Sequence, residues 1–361
     1  MVKIAFAGGG TGGHIYPGLA VAERLAALFG PGERRFFWIG SNAGVDRSIA
    51  GGTMDFFGIP SGRLRRYFSL KTVPDFFRVI AGFFAARRIL KRERPAALFS
   101  KGGFVSVPPC AAAASLGIPV FTHESDFSPG LATKINVRFA RTVFTSYDET
   151  AAFFPGALRS RVVKTGNPVR SSFFGADSER GRAFLGLKDE RILLVLGGSG
   201  GAREINGLIR DCAGELGKWY TVVHQTGPGN EKGFERSERY RPYPYFGEEM
   251  PDVLAAAELV VGRSGGAVWE YAALGKPMVL IPLSGKGTRG DQVENARFFE
   301  KAGAAVSLTG SDVNAENLVK IAGGIAEDSG RRQVMAAACE AIGKCDAASI
   351  IANYIKEFLQ V

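Results

Sequence analysis

The chain has 361 residues, 46% apolar and 22% charged, an ordinary globular balance with length for two cores of roughly 150 to 200 residues. No apolar run reaches the ~18 residues of a helical membrane span, so a soluble protein is expected. Net charge is +10 and one-sided: residues 1–165 carry 22 Lys and Arg against 10 Asp and Glu, and residues 166–361 carry 23 against 25, so an anionic partner is expected for the first half only.

The chain opens MVKIAF and runs directly into GGGTGGH, leaving no room for a leader with an apolar core and cleavage site, so a cytoplasmic location is expected. Short β-rich runs then alternate with helical patterns: VKIAFA (2–7), FFWIG (36–40), ALFS (97–100), PVFTHE (119–124) and TVFTSY (142–147). A second series follows, RILLVLG (191–197), YTVVHQ (220–225), LVVG (259–262), PMVLIPL (277–283) and AAVSL (304–308). Runs apolar at nearly every position are buried on both faces, and alternation with helices implies parallel sheets. The pattern predicts an α/β protein of two doubly wound, Rossmann-like domains, 1–165 and 166–345, with a cleft between them. A hinge is expected within 162–181, where Gly166, Pro168 and a polar cluster break the periodicity. The tail after the last strand is helical in pattern, and residues 346–361 are expected to pack back on the first domain.

Between the second and third of these strands lies RLRRYFSLKTVPDFFRVIAGFFAARRILKRERP (63–95), with 10 Lys and Arg and 2 Asp and Glu. Phe76, Val79, Ile80, Phe83 and Phe84 recur at helical spacing, and Arg87, Arg88, Lys91 and Arg92 follow. A basic amphipathic helix of this kind suits an anionic membrane surface. As a crossover helix it would also pack on the sheet, and at least half of its phenylalanines are expected to do so. Nucleic acid is disfavoured, because aromatics at helical spacing do not form an exposed stacking platform.

Three glycine-rich loops follow predicted strands, GGGTGGH (8–14), KGGF (101–104) and GGSGGA (197–202). In open α/β sheets ligands lie beyond the carboxyl ends of the strands, where glycines admit close approach and helix N-termini present N–H groups to anions. The first loop departs from the dinucleotide pattern, and Asp46 comes later than a ribose-binding carboxylate should, which disfavours a nicotinamide enzyme. Cys110, Cys212, Cys339 and Cys345 form no C-x-x-C pair, so neither zinc nor a disulfide frame is suggested.

GGGTGGHIYPG, KGGFVSVPP, GNPVR, GGSGGAREIN, RSGGAVWE and DQVENA stand in this order across nearly the whole chain. Together they resemble the MurG family of glycosyltransferases, which transfer N-acetylglucosamine from UDP-GlcNAc to undecaprenyl-pyrophosphoryl-MurNAc-pentapeptide (lipid I), giving lipid II. The resemblance implies a GT-B fold, a peripheral enzyme on the cytoplasmic face of the bacterial plasma membrane, and UDP-GlcNAc, lipid I and an anionic membrane surface as partners. No cofactor is implied. The absence of a D-x-D pair placed to bridge a diphosphate predicts metal-independent chemistry.

In the second domain the resemblance places Ser199, Gly200 and Gly201 at the donor diphosphate, with Arg170 and the turn Arg263, Ser264, Gly265, Gly266 and Ala267. Glu270 would accept both ribose hydroxyls, Gln292 and Asn295 would recognise the sugar, and Phe246, Gly247 and Met250 would form the uracil pocket. In the first domain Thr11, Gly12 and Gly13 would hold the acceptor pyrophosphate beside Lys101, Gly102 and Gly103. His14 would take the proton of the muramyl 4-hydroxyl in an inverting transfer, or only hydrogen-bond the acceptor. Asp126 stands where the family usually has asparagine, leaving acceptor contact, alternative base and helix cap open. Two further departures are the stretch 263–270, one residue short of the family spacing, and Gly200 in place of a polar residue. The rival readings are a diacylglycerol glycosyltransferase, a UDP-GlcNAc 2-epimerase and a non-catalytic UDP-sugar-binding subunit.

Overall fold

The structure, a computed structural model, describes residues 1–30, 32–42, 44–62, 72–285 and 288–360. The basic run at 63–71 lies outside the described residues. The chain divides into two compact units, residues 1–170 with 346–361 and residues 171–345.

The first unit is built on seven parallel strands, β1 (Val2–Ala7), β2 (Arg34–Ser41), β3 (Asp55–Ile59), β4 (Ala97–Ser100), β5 (Val120–Glu124), β6 (Thr142–Thr145) and β7 (Val162–Lys164), in the order β3-β2-β1-β4-β5-β6-β7. Strand side chains alternate between faces, and here both faces are apolar. Ile4, Phe6, Phe99, Phe121 and Phe144 point to one side, against Val21 and Leu25 of the helix Gly12–Ala27 and against Ile351, Ala352 and Ile355 of the helix Ala347–Leu359. Ala5, Ala7, Leu98, Val120 and Val143 point to the other, against Ala86 and Leu90 of the helix Thr72–Glu93 and Cys110 and Ala113 of the helix Val107–Ser115. The terminal helix is tied down by polar contacts as well. Asp346 pairs with Arg24 at 2.9 Å, and the Lys356 ammonium donates to the Leu28 carbonyl at 2.9 Å.

The second unit carries six parallel strands, β8 (Ile192–Leu196), β9 (Thr221–Gln225), β10 (Tyr240–Tyr243), β11 (Leu259–Gly262), β12 (Met278–Leu280) and β13 (Ala305–Ser307), in the order β10-β9-β8-β11-β12-β13. Leu193, Val195, Val222 and Val261 pack on Ile205 and Ile209 of the helix Arg203–Leu216. In each sheet the strand order reverses direction once, between β1 and β4 and between β8 and β11, and a crevice opens at such a switch point in open α/β sheets.

Three strands are absent from the sequence reading: β3, β7 and β10. Each is an edge strand of its sheet. An edge is half solvated and carries no continuous apolar run, and β10 even contains Pro242, which an edge tolerates. β7 falls inside the stretch read as a hinge.

Candidate active site

At the switch point of the first sheet the loops after β1 and β4 interleave. The Lys101 N–H donates to the Ala7 carbonyl at 2.9 Å, continuing the ladder past the strand ends. Gly103 has φ +75°, and a Cβ there would lie 3.0 Å from Cδ2 of His14 and 2.8 Å from the Gly9 carbonyl. A Cβ on Gly10, φ +91°, would lie 2.9 Å from the Phe104 ring. Glycine is therefore required where the two loops touch. The half-buried His14 side chain rests on Gly103, while Thr11 and Gly13 are exposed and Gly12 is half-buried. Thr11 is the N-cap of the helix Gly12–Ala27 without a side-chain cap bond, so N–H groups at the helix start keep their capacity for an anion.

The first loop is held from behind by a residue that sequence reasoning weighed only for another role. Asp46 is 1% exposed, and its carboxylate accepts from the N–H of Gly10 at 2.8 Å and of Ser41 at 2.8 Å. A Cβ on Gly9 would strike that carboxylate at 1.9 Å.

Lys101 is 2% exposed and points inward, its ammonium donating to the Ser125 hydroxyl, which in turn donates to Asn167 Oδ1 at 2.9 Å. Burial pulls this ammonium down to about 8 from its usual 10.5, against the opposing pull of Glu124 and Asp126. The Glu124 carboxylate accepts from the N–H of Asp126 at 3.1 Å and of Gly130 at 2.9 Å, shaping the SDFSPG loop. His123 is fully buried with Nε2 2.8 Å from the Gly166 carbonyl; burial first, then Lys101, hold it well below the usual imidazole range, so it stays neutral. Arg170, also in the first unit, stacks its guanidinium on Tyr16 at 4.7 Å from the ring centroid.

At the switch point of the second sheet the loop after β8 leads into the helix Arg203–Leu216. Ser199 and Gly200 are exposed, Gly201 is half-buried, and the N-cap Ala202 has no side chain able to cap. Beyond β11, Arg263 reaches this helix start: its Nη1 donates to Glu204 Oε2 at 2.7 Å and to the Ile281 carbonyl at 3.0 Å. The turn after Arg263 is pinned to the helix Asp291–Lys301, with the Ser264 hydroxyl donating to the Gln292 carbonyl at 2.7 Å and Asn295 Nδ2 donating to the Ser264 carbonyl at 2.9 Å. Gln292 Oε1 accepts from the Leu283 N–H at 2.9 Å, and its Nε2 approaches the position of a Cβ on Gly265 at 3.8 Å. Gly265, Gly266 and Ala267 are half-buried, as is Glu270 in the first turn of the helix Val268–Ala273. The Phe246 ring is buried against Tyr243, 4.8 Å between centroids, and its N–H is held by Gln225 Oε1; Gly247 is exposed and Met250 half-buried.

The sequence-predicted residues thus fall into two groups. Thr11, Gly12, Gly13, His14, Lys101, Gly102, Gly103, Asp126 and Arg170 belong to the first unit. Ser199, Gly200, Gly201, Phe246, Gly247, Met250, Arg263, Ser264, Gly265, Gly266, Ala267, Glu270, Gln292 and Asn295 belong to the second. Glu204, which lies within GGSGGAREIN but was given no role, and Gln225, outside every motif, also make contacts in these segments.

On the helix Thr72–Glu93 the buried inward residues are small or aliphatic, Gly82, Ala86 and Leu90. That small face corrects the expectation for the phenylalanines: Phe83 is half-buried, whereas Phe76, Phe77 and Phe84 are 54%, 63% and 63% exposed, with Ile80 at 39%. Phe77, Ile80, Phe84, Arg88 and Lys91 form one exposed helical stripe. No helix among the described residues is long and apolar enough to cross a membrane.

Residues 4–145 match the glycosyltransferase family 28 N-terminal domain, and residues 192–351 match the glycosyltransferase family 28 C-terminal domain. The chain is 48% identical to the UDP-N-acetylglucosamine--N-acetylmuramyl-(pentapeptide) pyrophosphoryl-undecaprenol N-acetylglucosamine transferase of Treponema denticola, over 99% of this chain and 98% of the relative. Identity to the protein of the same name from Treponema pallidum is 45%, over 99% and 96%. Among solved structures, MurG of Acinetobacter baumannii is similar with a TM-score of 0.73 at 23% identity, over 99% of this chain and 100% of that one. A UDP-GlcNAc 2-epimerase of Neisseria meningitidis bound to UDP-GlcNAc is similar with a TM-score of 0.69 at 14% identity, over 99% of each chain. These structural likenesses establish the fold, two Rossmann-like units of the GT-B type.

Proposed function

The chain belongs to the MurG family of family 28 glycosyltransferases, and from that premise we propose that it transfers N-acetylglucosamine from UDP-GlcNAc to the muramyl 4-hydroxyl of undecaprenyl-pyrophosphoryl-MurNAc-pentapeptide. The observation that carries the reading is a glycine-rich loop at the switch point of each sheet, each opening a long helix without a side-chain cap. Two phosphorylated substrates need two such anion sites.

In this reading the donor diphosphate sits on the loop 197–201 at the start of the helix Arg203–Leu216, with Arg263 supplying positive charge as the leaving group develops its own. Glu270 accepts the ribose hydroxyls, Gln292 and Asn295 shape the sugar end, and the segment of Phe246, Gly247 and Met250 holds the uracil. The acceptor pyrophosphate lies on the amides of Thr11, Gly12 and Gly13, beside the loop of Gly102 and Gly103. The 4-hydroxyl oxygen attacks the anomeric carbon, the bond from that carbon to the β-phosphate oxygen breaks, and its electron pair leaves with UDP. His14 takes the hydroxyl proton, and the configuration inverts. Asp126 contacts the acceptor, and Lys101, turned inward, supports the loop rather than meeting phosphate. The exposed stripe Phe77, Ile80, Phe84, Arg88 and Lys91 supports peripheral attachment to an anionic bilayer, where aromatic side chains enter the headgroup zone and cations meet the lipid charge.

The test is product analysis with labelled UDP-GlcNAc, offering a lipid I analogue and diacylglycerol separately, with and without a chelator. Label is expected in the lipid I product, undiminished by chelation. Turnover with diacylglycerol alone, or conversion of UDP-GlcNAc without any acceptor, would overturn the reading.

A further inference from the structure

At the end of β9 the side chain of Gln225 is 2% exposed, and both ends of its amide are engaged. Nε2 donates to the carbonyl of Gly198 at 3.1 Å, in the loop after β8. Oε1 accepts from the N–H of Phe246 at 2.9 Å, in the segment after β10. One partner is an acceptor and the other a donor, so only one orientation of the amide satisfies both. Because β9 lies between β8 and β10 in the sheet, this side chain spans the two segments on either side of it.

The surroundings leave little slack. A Cβ on Gly201 would lie 2.0 Å from the Thr226 carbonyl oxygen, and one on Gly227 would lie 2.4 Å from the Gly200 carbonyl oxygen, so the loop after β8 and the turn after β9 are backbone against backbone. Asn206 holds that turn, donating to the Thr226 carbonyl at 2.8 Å, while its Oδ1 meets His224 Nε2 at 3.2 Å and the Tyr240 hydroxyl meets His224 Nδ1 at 2.8 Å. Fully paired buried networks of this kind fix one arrangement of the groups they join.

We infer that Gln225 is a positioning residue that sets the spacing between the loop 197–201 and the segment 246–250, and so matches the donor site to the length of a uridine diphosphate. The inference rests on the reading of the second unit as the UDP-GlcNAc site. A nucleotide bridging two subsites gains from both only when their separation fits, whereas a fragment that fills one subsite is indifferent to it. Gln225 touches neither fragment in this scheme.

The experiment measures binding of UDP by calorimetry and of uridine by saturation-transfer NMR, for the wild type, Gln225→Met and Gln225→Glu. Gln225→Met removes both hydrogen bonds at similar volume. Gln225→Glu keeps an acceptor for Phe246 and sets a second carboxylate oxygen against the Gly198 carbonyl, so it remains informative if the first variant does not fold. In each folded variant, verified by near-ultraviolet circular dichroism, UDP affinity is expected to fall about tenfold or more and uridine affinity less than about threefold. Unchanged UDP affinity, or an equal loss for uridine, would overturn the inference. A wild-type protein that binds no UDP would instead remove the donor-site reading itself.

Discussion

The carboxylate of Asp46 accepts the N–H of Gly10 at 2.8 Å, so the loop read as an anion site in the first unit is braced by a charge from the crossover that follows β2. The same carboxylate takes the Ser41 N–H at the end of β2, joining loop to strand. Asp46→Ala leaves two N–H groups without their acceptor, at a cost of about 2 to 3 kcal/mol. Denaturant unfolding is expected to show that loss. Turnover of a lipid I analogue is expected to fall with it, while UDP affinity, assigned to the other unit in the proposed function, stays within about twofold of wild type. A large loss of UDP binding would contradict this assignment.

His14 and Asp126, the two candidate bases, lie in different surroundings. The His14 ring lies on Gly103 at the junction of both loops, whereas Asp126 sits beside the buried ammonium of Lys101. His14→Ala is expected to lower kcat by about 10²- to 10⁴-fold, the range of a lost general base, with UDP binding preserved. Asp126→Asn, which restores the amide usual in the family, keeps kcat within about threefold. Steady-state kinetics on the two variants decide between them, and the opposite ranking would reassign the base.

The central strands were legible because burial on both faces writes an unbroken apolar run, as in ILLVL of β8 and ALFS of β4. Three of the four edges were not: DFFGI, VVK and YRPY are short, half solvated, and in β10 interrupted by proline, whereas the edge β13 was read from AAVSL. For the site, glycine motifs at strand ends marked the loops, because positive φ and close backbone approach leave a compositional trace. The braces behind them left none. Asp46, Gln225 and Glu204 act through contacts 36, 27 and 59 residues away in sequence, and single polar residues at such separations have no periodicity to read. Lys101 shows the complementary limit, since a lysine in a glycine loop reads as a phosphate ligand until its burial is seen.

In the proposed donor site, Glu204 stands as a competitor of the diphosphate for Arg263. Its carboxylate holds the guanidinium at 2.7 Å and adds negative charge to the first turn of the helix Arg203–Leu216. Glu204→Gln frees the guanidinium and removes that charge, and the pair is partly exposed, so the effect is modest. UDP is expected to bind about twofold to fivefold more tightly, more so at low than at high salt. Calorimetry at two ionic strengths checks both the sign and the salt dependence; weaker binding would mean that Glu204 orients Arg263 productively.

Lys101 gives the first unit a distinctive alkaline response. Burial lowers its ammonium to about 8, against 10.5 in the unfolded chain, with Glu124 and Asp126 opposing the shift. Between those values the unfolded chain holds a proton that the folded chain has released, so this group's penalty is full below about pH 8 and relieved as pH rises to about 10.5. Cys110, Cys212 and Cys339, pushed up to about 12 by burial, work in the opposite direction above pH 9 and mask it in the total. The difference between wild type and Lys101→Met removes that background. Unfolding free energies measured from pH 7 to pH 10 are expected to show the wild type gaining on the variant steadily above pH 8, and a flat difference would refute the shifted lysine.

The exposed face of the helix Thr72–Glu93 is costly to leave in water and contributes nothing to the sheet. Phe77 and Phe84 stand on one stripe with Arg88 and Lys91, while Ala86 and Leu90 pack inward. Phe77→Ser with Phe84→Ser therefore leaves thermal stability nearly unchanged but removes apolar area from any bilayer contact, about 1.5 to 3 kcal/mol for each ring fully buried there. Co-sedimentation with vesicles rich in phosphatidylglycerol is expected to weaken at least tenfold in the double variant. Arg88→Gln with Lys91→Gln weakens it by about 1 kcal/mol per charge, and only at low salt. Aromatic loss without salt dependence would indicate a protein partner for the stripe, because only a charged surface reads both halves of it.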